Sequence, residues 1–348
     1  MRQNWIDRWK GILILLVVLG HVAGGGANIS VKGSESILLL VRDIIYLFHM
    51  PAFFVLAGIC WRDSGGWIRF LKRKSFRLLV PYMIFGVMSW AIYDAVYGTW
   101  GEFGFQMASL IHGGNWPNGE GFKCNSVLWF PPVMFVVLAG YRILESAVKS
   151  RAVLAKCCLC VLLWFLRVLC YRYRVLCLLW GIDLALWYLP YFIIGTMAGE
   201  LIGMIKVRRL FVCSVLVFAA VSFLKIHMPP ERSASFSGFS YAISLALSGT
   251  CITLSVAKAR FWDVRQVSWC GKQLAKIGVA SMGIMLLHKF PVVALQERIG
   301  IIRSMFCGNG VEGVIGMMIV FVAATACSYY VSRILSLYMP SAIGEKRI

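Results

Sequence analysis

Three of the five histidines in the sequence lie inside apolar segments long enough to cross a membrane: His21, His49 and His288. Each is 11 to 13 residues from a basic residue at the inner end of its segment, or about 16–20 Å along a helix. Ionisable side chains are costly inside a bilayer and therefore indicate function, and a neutral imidazole suits general-base catalysis. If the three helices are neighbours, these imidazoles line one polar cavity. The alternative is that each is a packing histidine bonded to a backbone carbonyl.

Lys10 and His21 form a second pattern, because they are eleven residues apart in one apolar segment. Eleven helical residues make about three full turns, so both side chains project from one face, and Asp7 lies about 40° away on that face. A cation at the cytoplasmic mouth, three turns below an imidazole, suits an extended, anionic, cytosolic donor whose reactive end reaches inward. The alternative for Lys10 is a snorkelling residue that marks topology.

A basic cluster follows the second apolar segment, at residues 69–77. Lysine and arginine bind phosphates, arginine with two parallel hydrogen bonds. The alternative is that the cluster only reflects the excess of basic residues in cytoplasmic loops.

Four segments, in order along most of the chain, resemble the membrane-bound acyltransferase-3 family, and the second of them is closest to its fucose 4-O-acetylase-like branch. They are Asn4-Trp5-Ile6-Asp7-Arg8-Trp9-Lys10-Gly11-Ile12 running to Gly20-His21, Phe48-His49-Met50-Pro51-Ala52-Phe53-Phe54-Val55-Leu56-Ala57-Gly58, Leu128-Trp129-Phe130, and Ser281-Met282-Gly283-Ile284-Met285-Leu286-Leu287-His288. The first two are more specific than the last two. The chain departs from the family where Lys10 replaces a common arginine and where Pro131 replaces the leucine after Leu-Trp-Phe.

The resemblance implies about ten transmembrane helices and transfer of an acyl group, usually acetyl, from acyl-CoA to a hydroxyl. Acceptors in the family are sugars of surface glycans, lipid carriers or small metabolites. Its basic-x10-His motif corresponds to Lys10 and His21, and its loop motif to Lys74 and Arg77, with Arg73 adjacent.

The residues and the resemblance together predict an inner-membrane O-acetyltransferase with His21 as general base. Lys10, Arg73, Lys74 and Arg77 are predicted to hold the CoA phosphates. The remaining candidates for the cavity or the acceptor site are His49, His288, Asp7 and Trp129. A covalent acyl-His21 intermediate is the mechanistic alternative. No metal and no resident cofactor are predicted, since acetyl-CoA is a substrate.

Two other function classes compete with acyl transfer. A transporter or flippase of a lipid-linked glycan also places ionisable groups in the membrane, although no repeated half-structure is visible in the sequence. A membrane scaffold is the third class. The acceptor, the side of the membrane on which it binds and the oligomeric state are left open.

The composition requires a membrane setting for these residues. Of the 348 residues, 60% are hydrophobic and only 14% are charged, which excludes an ordinary soluble domain. We predict an all-α, polytopic integral membrane protein, a single transmembrane domain over residues 1–348. Its spans are predicted at 10–27, 37–60, 78–97, 126–145, 152–171, 183–204, 210–226, 238–257, 275–296 and 311–335.

The charge distribution sets the predicted orientation. The net charge of +20 is spread between apolar runs, which favours topology and anionic lipid over nucleic acid. Most basic residues are cytoplasmic if both termini lie inside, as expected for a multi-pass protein of the bacterial inner membrane. Arg167, Arg172 and Arg174 are exceptions, on the outer side. The first apolar run lacks a convincing cleavage pattern, so we expect it to remain as a signal anchor.

The long outer loop at about 98–125 carries seven glycines, which argue against a regular helix there. It is either a lid or re-entrant segment over a cavity or an interfacial loop with tryptophan anchors. The twelve cysteines lack zinc-site spacing and are interpreted mainly as apolar helix residues. Cys124 and Cys307 fall in predicted outer loops, and the sequence leaves their pairing open.

Overall fold

A computed structural model describes residues 4–29, 35–62, 65–98, 102–114, 122, 124–147, 153–173, 175, 178–201, 206–226, 236–259, 262, 264–308 and 310–345. These residues are almost entirely helical, and no strand occurs among them. Nine of the described helices are long and apolar enough to span a membrane, or ten if one bent helix pair counts as a single span. The prediction of an all-α, polytopic membrane protein with about ten spans is therefore confirmed.

Fourteen α-helices occur in the part of the chain that the structure describes. They are α1 (Asn4–Ile29), α2 (Glu35–Ile59), α3 (Trp67–Tyr97), α4 (Phe103–His112), α5 (Phe130–Ala147), α6 (Val153–Arg172), α7 (Ile182–Leu201), α8 (Val207–Ile226), α9 (Phe236–Lys258), α10 (Arg265–Val279), α11 (Ser281–Leu287), α12 (Lys289–Arg298), α13 (Gly300–Cys307) and α14 (Gly310–Tyr338). Short 3-10 turns cover Ser126–Trp129, Leu179–Gly181 and Pro340–Ile343.

Two predicted spans differ from the observed helices. The third starts at Trp67 rather than at residue 78, so the basic cluster of residues 69–77 is helical and not a loop. No glycine or proline interrupts the chain from Trp67 to Val80, and the helix therefore extends through the charged residues. The ninth span is broken rather than straight, with a bend of 64° after Val279.

The chain divides into two compact units, the first built from Met1–Phe53 and Gly203–Ile334. Helix α1 is its centre, because it packs against α9, α10, α11, α12 and α13. Helix α8 packs on α9. The buried indole of Trp9 donates a hydrogen bond to Thr253 Oγ1 at 3.1 Å, which ties α1 to α9.

Glycines bring the backbones of α1 and α10 into direct contact. A Cβ atom added to Gly11 would collide with the Leu274 carbonyl oxygen, and one added to Gly278 would collide with the Asp7 carbonyl oxygen. Small residues allow this close approach. In a membrane the hydrophobic effect does not drive helices together, so close van der Waals packing of this kind favours their association. The glycine pair therefore fixes the register of α1 on α10.

The second unit consists of Phe54–Ile202 and Leu335–Ile348. Helix α5 packs against both α3 and α7, α6 packs on α7, and the turn Pro340–Ile343 packs on α3. Arg167 forms a partly buried ion pair with Asp183 at 2.9 Å. This pairing explains how an arginine is tolerated on the predicted outer side, because its charge is neutralised within the protein.

Helix α4 runs back along α3. The ring of Phe103 lies 4.7 Å from that of Trp90, and the Tyr82 hydroxyl donates to the Leu110 carbonyl, so the two helices are antiparallel. Asn125 then donates to Ser89 Oγ at 3.2 Å. The expectation that glycines prevent a regular helix in this loop was wrong for Phe103–His112.

The reason lies in where the described glycines fall. Gly98, Gly113 and Gly114 have φ of 69°, 112° and 80° and end helices rather than interrupt them. Pro131 and Pro132 lie in the first turn of α5, where proline is tolerated.

Cys124 and Cys307 are free thiols. Cys124 donates to Gln106 Oε1 at 3.7 Å, and Cys307 donates to the Ile29 carbonyl at 3.6 Å. Desolvation by burial raises the pKa of the Cys124 thiol to about 11, so this cysteine stays protonated at neutral pH.

We predict that Gly278→Ala destabilises the protein, by about 1–3 kcal/mol or more, because its methyl group would meet the Asp7 backbone. Thermal unfolding in detergent measures the loss. The matched control is Gly300→Ala in the same unit, where a Cβ atom meets open space. Equal melting temperatures for the two variants would contradict the close approach of α1 and α10.

Candidate active site

The structure brings the three intramembrane histidines together with a tyrosine. The ring centres of His21 and His288 are 5.2 Å apart, those of Tyr46 and His49 are 5.1 Å apart, and those of His21 and Tyr46 are 5.8 Å apart. All four residues belong to the first unit. We refer to them as the histidine cluster.

Three separate elements supply the cluster. His21 projects from the middle of α1, Tyr46 and His49 lie one turn apart on α2, and His288 lies at the junction of α11 and α12. The bend after Val279 allows α11 and α12 to follow α1 in a new direction, and both helices pack on it. The broken span therefore places His288 beside His21.

Two of the histidines are anchored by their own helices. His49 Nδ1 lies 2.7 Å from the Ile45 carbonyl oxygen, and His288 Nδ1 lies 3.0 Å from the Ile284 carbonyl oxygen. A carbonyl oxygen only accepts, so Nδ1 must carry the hydrogen in both rings. Each neutral imidazole then presents an unprotonated Nε2.

His288 is the most deeply buried member. Its side chain is 0% exposed, and its Nε2 atom is buried without a hydrogen-bond partner among the described residues. Such an unsatisfied buried acceptor is rare in proteins and costs about 1–3 kcal/mol. The unsatisfied Nε2 lone pair of His288, beside the His21 imidazole, therefore indicates a functional role.

His21 differs because it is only partly buried and its partner is a side chain. The Tyr46 hydroxyl oxygen lies 3.2 Å from His21 Nδ1, and Tyr46 is 41% exposed. Sequence reasoning missed Tyr46. The available signal was its position three residues before His49, which puts both side chains near one face of α2.

Gln296 is a second residue that the sequence did not reveal. Its buried amide donates to the Val22 carbonyl at 2.8 Å. Gly25 leaves the space for this side chain, since a Cβ atom there would collide with the Gln296 oxygen. The contact fixes α12 on α1 next to His21 and a little over two helical turns from His288.

Lys10 and Asp7 form an ion pair at the other end of α1. Lys10 Nζ lies 3.6 Å from Asp7 Oδ1, with the lysine side chain 33% exposed and the aspartate 6% exposed. The buried carboxylate thus positions a partly exposed ammonium, on the face of α1 that carries His21 three turns away.

The three other candidate phosphate ligands lie on α3, in the second unit, where Arg77 is one turn from both Arg73 and Lys74. Lys74 Nζ lies 5.8 Å and 5.9 Å from the rings of Trp61 and Phe70, in cation–π range. Arg73 instead lines a groove of about 1020 Å³ with Arg69 and Lys72. Arg77 is exposed.

Trp129 belongs to an aromatic stack in the second unit. Its indole lies 5.6 Å from the Tyr188 ring, at an interplanar angle of 23°. Tyr188 in turn stacks on Phe54 at 4.4 Å and 14°. The stack accounts for Trp129 by packing, and its partly buried ring keeps one side open to other contacts.

The histidine cluster is suited to proton transfer. Among the described residues, no group of three or more His, Cys, Asp or Glu side chains could hold a metal ion. The imidazoles of the cluster and the Tyr46 hydroxyl are groups that can each accept and release a proton.

Comparison with known proteins gives one family and one relative. The family model described as an acyltransferase domain, Acyl_transf_3, matches residues 3–333. The nodulation protein NolL of Mesorhizobium japonicum is 31% identical over 105 residues, which cover 27% of this chain and 26% of NolL. The chain thus matches only about a quarter of that relative's length. No solved structure matches.

We predict that diethyl pyrocarbonate modifies His21 faster than His49 or His288 in the detergent-solubilised protein. His21 is partly exposed, whereas the other two side chains are 5% and 0% exposed. Mass spectrometry of the three peptides over a time course measures the order. Modification of His288 as fast as His21 would contradict the burial described here.

Proposed function

The chain belongs to the acyltransferase-3 family, and from that premise we propose that it is a membrane O-acetyltransferase that uses acetyl-CoA and a hydroxyl acceptor. The observation that carries the proposal is the histidine cluster, in which His21 meets Tyr46 and His288 in a unit built around α1. Membership of the family makes acyl transfer the reaction class, and the cluster supplies the base that such a reaction needs.

The proposed reaction has two steps. His21 accepts the proton of the acceptor hydroxyl while the hydroxyl oxygen bonds to the thioester carbonyl carbon. The tetrahedral intermediate then collapses, the carbon–sulfur bond breaks, and the thiolate takes the proton from the His21 imidazolium. The products are the acetyl ester and CoA, and His21 returns to its neutral state.

The donor is proposed to enter from the cytoplasmic end of α1. Lys10 lies three helical turns from His21, and its ammonium is oriented by buried Asp7. A phosphate held there leaves the pantetheine arm free to extend toward the cluster. Arg73, Lys74 and Arg77 on α3 are proposed as phosphate ligands because the family's loop motif corresponds to the last two, with Arg73 adjacent. We propose a location in the bacterial inner membrane with both termini cytoplasmic.

The acceptor is proposed to be a sugar hydroxyl of a surface-glycan precursor. The likeness to NolL, named as a nodulation protein, supports the family and does not distinguish the fucose 4-O-acetylase-like branch. That branch assignment rests on the segment from Phe48 to Gly58 alone. His49 and Trp129 remain candidates for acceptor contacts, since each lies in an aromatic cluster. Comparing glycan masses from cells with and without the gene identifies the acceptor.

The covalent alternative makes a different kinetic prediction. An acyl-His21 intermediate requires ping-pong kinetics and enzyme labelled by radioactive acetyl-CoA in the absence of acceptor. Direct transfer requires sequential kinetics and no labelled enzyme. Transport without acyl transfer receives no support from the family match.

We predict that His21→Ala lowers kcat by on the order of 10²–10⁴-fold, because the base is removed. The assay measures label transferred from radioactive acetyl-CoA, in membranes, to a glycan extract from cells that lack the gene. His112→Ala, a histidine on α4 outside the cluster, is the control. Full activity of the His21 variant would remove His21 as the base.

A second prediction concerns donor binding. Lys10→Ala and Arg73→Ala are expected to raise KM for acetyl-CoA by about tenfold each, since each loses a charge-assisted hydrogen bond to phosphate. Lys272→Ala, an exposed cation on α10, serves as the control for net charge. An unchanged KM in both variants, with kcat also unchanged, would place the donor elsewhere.

A further inference from the structure

We propose that Tyr46 is the catalytic residue that touches the acceptor, and that its hydroxyl passes the acceptor proton to His21. His288 completes this relay by accepting a hydrogen bond from the far side of the His21 ring. The inference rests on the proposed function and deepens it, because it assigns the atom through which the base acts.

The direction of the relay follows from its buried end. The Ile284 carbonyl accepts from His288 Nδ1 at 3.0 Å and also from the His288 backbone N–H at 2.9 Å. A carbonyl oxygen has no hydrogen to give, so Nδ1 of the neutral ring is protonated and Nε2 is not. His288 Nε2 can therefore only accept.

The group that can satisfy this lone pair is the neighbouring imidazole. His288 is 0% exposed, so no substrate reaches Nε2 in this conformation, and the His21 ring centre is 5.2 Å away. At that separation, facing nitrogens of two imidazoles come within N–H···N hydrogen-bond distance. The bond is not made in the structure. A charge-assisted bond is shorter and stronger, so we expect it to close when His21 is protonated.

The remaining nitrogen of His21 faces Tyr46. If His21 Nε2 carries the hydrogen for His288, then Nδ1 is unprotonated and accepts from the Tyr46 hydroxyl at 3.2 Å. The Tyr46 oxygen keeps its lone pairs, so it can still accept a hydrogen bond. The donor of that bond must be a group other than His21 and His288. A hydroxyl of the acceptor is such a donor.

Exposure increases along the chain in the same direction. His288 is 0% exposed, His21 is partly exposed and Tyr46 is 41% exposed. The most exposed member of the three is thus the tyrosine, and we place the acceptor there. Gly20 allows Tyr46 to approach α1 this closely, because a Cβ atom there would lie 2.7 Å from the Tyr46 ring.

The proton balance is complete without any further group. The acceptor hydroxyl gives its proton to Tyr46 Oη as Tyr46 gives its own to His21 Nδ1, and the acceptor oxygen bonds to the thioester carbon. The imidazolium then holds two N–H groups, one toward Tyr46 and one toward His288. When the carbon–sulfur bond breaks, the same proton returns through Tyr46 to the thiolate.

The competing arrangement is direct transfer from the acceptor to His21 Nε2. In that case His21 Nδ1 donates to the Tyr46 hydroxyl oxygen. The Nε2 atoms of His21 and His288 are then both unprotonated, and His288 Nε2 has no hydrogen-bond donor. Tyr46 then only orients His21. The two arrangements differ in what happens when the tyrosine hydroxyl is removed.

The test compares Tyr46→Phe, His288→Leu and His288→Gln in the membrane assay with radioactive acetyl-CoA and glycan extract. Tyr46→Phe is expected to lower kcat by on the order of 10²-fold with KM for acetyl-CoA unchanged, because the relay atom is lost. His288→Leu is expected to lower kcat about tenfold. His288→Gln, which restores an acceptor oxygen, is expected to recover at least a third of the wild-type kcat.

The controls distinguish a failure of the Tyr46 relay from a failure of the proposed acetyltransferase activity. Tyr330→Phe, on an exposed tyrosine of α14, is the matched control, and melting temperatures establish that every variant folds. Tyr46→Phe with more than half the wild-type kcat overturns the relay, as does a glutamine variant no better than the leucine variant. A wild-type protein that transfers no acetyl group overturns the proposed function itself, and the relay with it.

Discussion

The contact between the backbones of α1 and α10 is the constraint from which the rest of the first unit follows. Gly11 and Gly278 have no side chains, so the two helices meet at a distance that no larger residue permits. That contact sets the height and rotation of α1, and therefore the position of every side chain on it. Lys10 and His21 are both on α1, so their separation is fixed by helix geometry alone.

The bend after Val279 connects the α1–α10 contact to the histidine cluster, because it leads into the helices that carry His288. A straight helix would leave α1 after the glycine contact, whereas α11 and α12 continue to pack along it. Gln296 holds α12 to the Val22 carbonyl, and His288 is thereby kept beside His21. The buried His288 imidazole has an unsatisfied nitrogen, and the packing of α11 and α12 on α1 holds it in place despite that cost. This is the kind of local cost that proteins carry at functional sites.

The sequence predicted the helices well, and it singled out three members of the cluster as candidates, for identifiable reasons. Apolar runs of the right length define spans in a membrane, and intramembrane histidines stand out because they are costly. Tyr46 was missed because a tyrosine in a span is ordinary, and its role depends on a contact between α1 and α2 that no local pattern encodes.

Two interpretations failed because they ignored helical geometry or its termination. The predicted third span starts at residue 78 and leaves residues 69–77 in a loop, whereas in helix α3 neighbours such as Arg73 and Lys74 point about 100° apart. The glycines at 98–125 predict that this loop has no regular helix, but Gly98 lies at the C-terminal end of α3 and Gly113 at the C-terminal end of α4. Neither glycine interrupts a helix. In both cases, the effect of a residue depends on its position in the helix as well as on its type.

The central claim is that the reacting thioester lies at the histidine cluster, and a structure with a bound donor tests it most directly. Cryo-electron microscopy of the protein with a non-hydrolysable thioether analogue of acetyl-CoA would show where the acyl group lies. We expect its carbonyl carbon beside the Tyr46 hydroxyl and the His21 ring, with a phosphate near Lys10. An acyl group seated away from α1, with the His21 ring against lipid, would contradict the account.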